Sequence, residues 1–243
     1  MRVAAIIQAR MGSTRLPGKI LKTVNGKSLL EYQLERVRLS NTIDKIIVAT
    51  TVKENEQPII ELCKNLTIDY FRGSEHDVLS RYYEAAMNHN IDVIVRLTSD
   101  CPLIDPAVID KVVNHYMNNK DNIDYVSNTL ERTFPRGLDT EVFSFKSLER
   151  AYHEANLSRD REHVTAYFYS NPKVFKLDNV TNNRNYGSFR WTVDTKEDFE
   201  LIKLIISELY DSNNKFTLED VIELLKLNPS WKELNAHIDQ KKI

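Results

Sequence analysis

The chain has 243 residues, 42% of them hydrophobic and 28% charged, an ordinary globular composition with length enough for a sizeable core. Lysine and arginine together number 33 against 35 acidic residues, a net charge of −2, which argues against a nucleic-acid coat or a membrane-surface binder, since both need a basic excess. Two cysteines, Cys63 and Cys101, are too few for a disulfide framework and fit a reducing, cytoplasmic setting.

Residues 3–9 form a continuous apolar run, the pattern of a strand buried on both faces of a parallel sheet. The run is too short for a membrane span and carries no cleavage-site pattern, so neither membrane insertion nor secretion is expected. A small-residue loop with three cations follows, Arg10, Arg15 and Lys19. Residues 28–39 place Leu29, Leu30, Leu34 and Val37 at helical spacing, and residues 43–51 read as a second buried strand. A helix is predicted over 58–65, with Pro58 in its first turn, and a short strand over 68–71. The next helix is capped near Ser74 or Asp77, a fourth strand covers 92–97, and Pro106 opens a helix that runs to about Asn118. Such alternation predicts an α/β fold, a mostly parallel sheet with helices on both faces.

The second half is less regular. "IDYVSNTL" and "LDTEVFSFKSL" read as strands joined by "ERTFPRG", and "DREHVTAYFYSNP" reads as one helix stopping at Asn171-Pro172. "KVFKLDNV" and "SFRWTVD" read as two further strands. "TKEDFELIKLIISELY" is an amphipathic helix with Phe199, Ile202, Ile205, Ile206 and Leu209 on one face, and "TLEDVIELLKLNP" is the last helix. The tail, residues 241–243, is expected to fray. One domain is expected over 1–243, with a nucleotide-binding half (1–125), an acceptor-binding half (126–195) and C-terminal helices (196–243). A homodimer is compatible with this reading, but the apolar face of the 199–209 helix is more simply core than interface.

The loop after the first strand limits the chemistry. A P-loop needs four residues between its glycines and a hydroxyl residue after the lysine. Here five residues separate Gly12 from Gly18, and Ile20 follows Lys19. The dinucleotide pattern G-x-G-x-x-G is absent. What remains is either three solvated cations or a different loop that wraps a polyphosphate, in which Gly12 and Ser13 let the backbone come close and Pro17 stiffens the return. Placement at the carboxyl end of the first strand of an open parallel sheet favours the polyphosphate. Asp100 and Asp194 each lie just beyond a predicted strand, and two carboxylates from different strand ends can meet over one Mg²⁺. Asp194 could instead cap the helix beginning at Lys196, and Asp105 before Pro106 reads as a cap or turn residue. Cys101 reads as a small buried residue beside the site, because no partner base is evident nearby.

"IIQARMGSTRLPGKIL", "RGSEHDVLSRYYEAA", "VRLTSDCPLIDP", "RGLDTEVFS", "REHVTAYF" and "RWTVDTKEDFE" occur in this order over residues 1 to about 205. Together they closely resemble the SpsF-type (spore-coat polysaccharide synthesis) branch of the cytidylyltransferase family, which includes the CMP-sialic-acid and CMP-ketodeoxyoctonate synthetases. The resemblance implies a Rossmann-like nucleotidyltransferase sheet of the GT-A kind. It also implies the reaction of CTP with an acidic sugar or a phosphate- or phosphonate-bearing acceptor, giving a CMP-acceptor and pyrophosphate with Mg²⁺. It places metal-binding aspartates at Asp100 and Asp194 and makes Arg10, Lys19 and Asp100 the catalytic candidates. The nucleotide-binding candidates are Ala9, Arg10, Met11, Gly12, Ser13, Arg15, Lys19, Arg72 and Ser99. Arg72 is expected on the cytosine or a phosphate, or else in a helix-start charge cluster. On the acceptor side stand Arg136, Asp139, Glu141, Glu162 and His163; Arg136 could grip an acceptor anion bidentately, while a lone helical histidine is more often structural. Two other functions compete: a GT-A glycosyltransferase, disfavoured because "TSDCP" has a single Asp where Asp-x-Asp is usual, and an inactive nucleotide-binding subunit.

Overall fold

The computed structural model describes residues 1–210 and 213–240. The tail 241–243, expected to fray, lies outside the described residues. In chain order the first half contains β1 (Val3–Gln8), a small hairpin of β2 (Thr23–Val24) and β3 (Lys27–Ser28), α1 (Leu29–Val37), β4 (Lys45–Thr51), α2 (Gln57–Asn65), β5 (Asp69–Gly73), α3 (Val78–Asn88), β6 (Val93–Thr98) and α4 (Pro106–Asn119). Then follow β7 (Tyr125–Ser127), β8 (Glu141–Ser144), α5 (Phe145–Glu154), α6 (Ser158–Glu162), α7 (Ala166–Ser170), β9 (Leu177–Asn179), α8 (Lys196–Leu209) and α9 (Leu218–Leu227).

Seven strands make one sheet in the order β5-β4-β1-β6-β8-β7-β9. The apolar run of β1 has a simple cause. Val3, Ala5 and Ile7 face a core that includes residues of α1, α2, α4, α8 and α9, while Ala4 and Ile6 face another built from α3, α5 and α7. Residues 3–7 therefore all need to be apolar, and alternation is invisible. β4, β1 and β6 pair in parallel, as do β4 with β5 and β7 with β9. β8 alone is reversed, antiparallel to both β6 and β7. The chain leaves β1 towards β4 on one side, and β6 lies on the other, so the strand order reverses at β1, where an open sheet offers a crevice at its carboxyl edge. No helix among the described residues is long and apolar enough to cross a membrane.

Helix starts follow their caps. Ser28 accepts from the Glu31 amide at 3.2 Å, and Asp77, the second of the two candidates, caps α3 by accepting from Ser80 at 2.9 Å. Asp105 caps α4 through the Ala107 amide (2.8 Å) and also accepts from the Leu218 amide (2.6 Å), tying α9 to it.

Three expectations for the second half are corrected. The single helix over "DREHVTAYFYSNP" is two short ones, α6 and α7, broken where Val164 takes a left-handed backbone (φ 51°). That conformation disfavours a β-branched residue, and the fully buried Val164 side chain, packed with α3 and α5, offsets it. "SFRWTVD" is not a strand but an extended segment with one isolated bridge, Arg136 to Arg190. Its hydrogen bonds go to loops: Arg136 N to Phe189 O (3.0 Å), Trp191 N to Arg136 O (2.7 Å) and Val193 N to Asp100 O (2.8 Å). A Cβ on Gly137 would lie 2.6 Å from the Trp191 carbonyl carbon, so glycine is required for this approach. Finally, strand character in "LDTEVFSFKSL" ends at Ser144, which caps α5 by accepting from the Ser147 amide at 2.9 Å.

Candidate active site

The loop after β1 is held shut by its own backbone and by apolar plugs. The Ala9 amide donates to Ala49 O (3.1 Å), prolonging the β1–β4 contact. The Met11 amide donates to Glu56 Oε2 (2.9 Å), a buried carboxylate that also accepts from Thr50 and Thr51. The Gly18 amide closes the loop on Met11 O at 3.1 Å, with Gly18 at φ +66°, a conformation open to glycine. Leu16 and Ile20 are buried beneath, so the polar side of the loop faces outward.

Lys19, fixed at the start of a short 3-10 turn, reaches both predicted metal ligands. Its Nζ donates to Asp100 Oδ2 at 2.9 Å and to Asp194 Oδ1 at 2.7 Å. The outer oxygens are also engaged. Asp100 Oδ1 accepts from Thr98 Oγ1 (2.6 Å), and Asp194 Oδ2 meets Arg15 (2.9 Å) and Arg190 (2.8 Å). Burial disfavours charge on both Lys19 and Asp100, but their mutual attraction wins. Lys19 is held above its ordinary value by Asp100 and Asp194, and Asp100 is pushed down to about 2, chiefly by Lys19 and the Thr98 hydroxyl.

Asp194 is carried by a network rather than by a strand end. Thr195, not Asp194, caps α8, in a capping box with Asp198. Asp198 is fully buried and accepts from Arg190 (2.8 and 3.1 Å), from the Asp194 and Thr195 amides (2.9 and 3.0 Å) and from Asn235 (2.9 Å). Asp194 is thereby spared the capping role and turned towards Lys19.

Arg15, Lys19, Thr98, Asp100 and Asp194 line a cavity of about 550 Å³. The predicted residues Ala9, Arg10, Gly12, Ser13, Arg15, Lys19, Ser99, Asp100 and Asp194 all border it, as do Glu162 and His163 from the end of α6. Other predicted residues lie elsewhere. Met11 packs its side chain against the core. Arg72 donates to the carbonyls of Thr51, Val52 and Lys53 at 3.2, 2.7 and 3.1 Å. Arg132 binds Asp139 through two bonds (2.7 and 2.9 Å), and Glu141 is shared by Arg96 and Tyr125. Arg136 borders a second cavity of about 400 Å³ together with Phe189 and Trp191. Cys101 is 4% exposed beside Asp100, and burial raises its thiol pKa far above the ordinary value, which fits the inert role expected of it.

Sequence reasoning missed Arg81. It lines the cavity from α3, is 2% exposed, and donates through Nη1 to Ser74 O (2.8 Å), yet its Nε is buried with no partner among the described residues. Burial, with the nearby charge of Arg10, lowers its pKa. The available signal was a charged residue on the apolar stripe of a helix, between Val78 and Ala85.

No group of three or more His, Cys, Asp or Glu side chains suited to a metal occurs among the described residues. Asp100 and Asp194 nevertheless share one cation, the Lys19 ammonium, between them. A pair of carboxylates fits a hard divalent ion that takes its remaining ligands from phosphate oxygens and water.

The sequence matches the profile of the cytidylyltransferase family over residues 4–243. It is 32% identical to the spore coat polysaccharide biosynthesis protein SpsF of Bacillus subtilis, across 92% of this chain and 94% of that protein. A cytidylyltransferase from Leptospira borgpetersenii superposes over the full length of both chains with a TM-score of 0.92 and 38% identity. CMP:2-keto-3-deoxy-manno-octonic acid synthetase, solved with CTP, has the same fold at 16% identity, with a TM-score of 0.64 over 86% of this chain and 99% of that one. Profile, relative and full-length superposition agree: the chain belongs to the cytidylyltransferase family of enzymes.

Proposed function

We propose that the protein is a cytoplasmic, Mg²⁺-dependent cytidylyltransferase that transfers CMP from CTP to a small acidic acceptor and releases pyrophosphate, in surface polysaccharide biosynthesis. The observation that carries this reading is Lys19 held between Asp100 and Asp194 at the carboxyl edge of the sheet, with Arg10 and Arg15 on the same cavity. A triphosphate brings about four negative charges near neutral pH, and a loop with three cations beside a carboxylate pair meets that demand. The family's description and the CTP bound by the fold neighbour support the choice of nucleotide. The spore-coat relative supports the pathway, and the two buried free cysteines agree with a cytoplasmic setting.

Asp100 and Asp194 would hold the Mg²⁺, which when bound supplies positive charge to the phosphate oxygens. Arg15 and Lys19 bind the triphosphate and fix its α-phosphorus in line with the acceptor oxygen. That oxygen forms the new bond to phosphorus as the bond to the bridging oxygen breaks and pyrophosphate departs. Lys19 and Arg10 neutralise the charge that grows on the leaving group, so catalysis rests on positioning and electrostatics rather than on a covalent intermediate. A hydroxyl acceptor must also lose its proton; a phosphate or phosphonate oxygen has none to lose. Arg81, on the same cavity, meets the base: cytosine offers acceptors at O2 and N3, whereas uracil carries a hydrogen at N3. Glu162 and His163 border the space left for the acceptor.

The test is pyrophosphate release from CTP and Mg²⁺ across a panel of ulosonic acids and phosphorylated or phosphonate acceptors. Release with at least one acceptor is expected, and Lys19→Ala or Asp100→Ala should lower turnover roughly 100- to 1,000-fold with circular dichroism unchanged. CTP binding without release from any acceptor overturns the reading, as does normal turnover in both variants.

A further inference from the structure

We propose that Lys19 is a resident counter-ion that a divalent metal must displace, so that metal and triphosphate enter this site together and neither binds well alone. The inference rests on the reading of Asp100 and Asp194 as the metal-holding pair, and deepens it.

The inner oxygens of the two carboxylates, Asp100 Oδ2 and Asp194 Oδ1, are those on the Lys19 ammonium, at 2.9 and 2.7 Å. The outer oxygens are committed elsewhere, Asp100 Oδ1 to Thr98 and Asp194 Oδ2 to Arg15 and Arg190. An ion that bonds both inner oxygens therefore enters the space where the ammonium stands. Charge leads to the same conclusion. Asp100, Asp194 and Asp198 are matched by Lys19, Arg15 and Arg190, three negative against three positive, so the cluster is neutral as it stands. A bare dication would leave two uncompensated positive charges in a partly enclosed site. A triphosphate removes that excess and gives the displaced ammonium a new partner. The backbone of Lys19 is anchored by the fully buried Ile20, while its flexible four-carbon stem borders the cavity, so the head group can cross to a phosphate without the loop moving. An arginine fork fixed to both carboxylates would exchange less readily than this point charge. Coupling of this kind is reciprocal: whatever factor the polyanion adds to metal affinity, the metal adds to polyanion affinity.

The test uses Mn²⁺ as probe, followed by electron paramagnetic resonance on the nucleotide-free protein. Wild type should bind Mn²⁺ weakly, and Lys19→Met should bind it at least tenfold more tightly. The double variant Lys19→Met/Asp100→Asn should lose that gain. In wild type, inorganic tripolyphosphate should raise Mn²⁺ affinity beyond what complexation in free solution accounts for, and in Lys19→Met that excess should shrink. Unchanged or weaker Mn²⁺ binding by folded Lys19→Met overturns the proposal, and so does a double variant that keeps the gain. Should Lys19→Met not fold, wild type decides: equal Mn²⁺ affinity with and without tripolyphosphate sinks the idea. None of these measurements uses CTP, so an error in the assigned nucleotide leaves them intact, while pyrophosphate release with an overturned Mn²⁺ result would remove this inference alone.

Discussion

In residues 1–125 four of the groups facing the cavity stand just beyond strand ends: Ala9 and Arg10 after β1, Ser99 and Asp100 after β6. Their positions follow from the ladder that joins β1 to β4 and β6. In residues 126–195 no strand end supports Asp194. It hangs on Arg190, Asp198 and Asn235, side chains that are themselves 6%, 0% and 3% exposed. A ladder-built site survives the loss of any one side chain that does not touch substrate, because the backbone bonds remain. A network-built site does not, because each member is satisfied only by the others.

That contrast can be broken experimentally. Asp198→Ala should be the most damaging change, leaving Arg190 buried with fewer partners and the Asp194 amide without its acceptor. We expect a loss of about 3 kcal/mol in urea unfolding, with pyrophosphate release falling as Asp194 drifts. A midpoint equal to that of wild type would deny the network its role. Next comes pH. The Asp100 carboxyl is depressed from 3.8 to about 2 in the folded protein. Its contribution, about 2 kcal/mol, is therefore complete above the unfolded value and is lost as pH falls through the folded one. The stability gap between wild type and Asp100→Asn at pH 6 should narrow below about pH 4; a constant gap down to pH 2 would contradict the assignment. The mildest test sharpens the comparison. Ser28→Ala and Thr195→Ala each remove one cap and should each cost about 1 kcal/mol in thermal unfolding, but only Thr195→Ala should also lower turnover, since it alone sits beside Asp194.

The same contrast explains what could be read in advance. Strand–helix alternation, the β1 loop and the Asp100 strand end are local patterns of hydrophobicity and turn chemistry, and they appear where expected. Asp194 was legible as a residue, but its support was not: "SFRWTVD" pairs with loops, and the partners of Arg190 come from α8 and from Asn235. Arg72 and Arg136 illustrate the converse. Arg72 reads as a base or phosphate contact, or else part of a helix-start charge cluster, and Arg136 as an anion grip, yet Arg72 spends its donors on the carbonyls of Thr51, Val52 and Lys53, and Arg136 opens on a different cavity. Direction of a long side chain depends on tertiary neighbours, which composition and spacing do not encode. Val164 is harder still, since a buried β-branched residue is the last place a helix break would be sought.

Trp191 gives the molecule a built-in optical gauge. Its indole N–H is buried with no acceptor among the described residues, three positions before Asp194 and hydrogen-bonded through its backbone to Arg136. The chain has only one other tryptophan, Trp231, so changing that one to phenylalanine leaves Trp191, 1% exposed, as the single indole emitter. Its colour and intensity would register any rearrangement around the second aspartate without a label being attached.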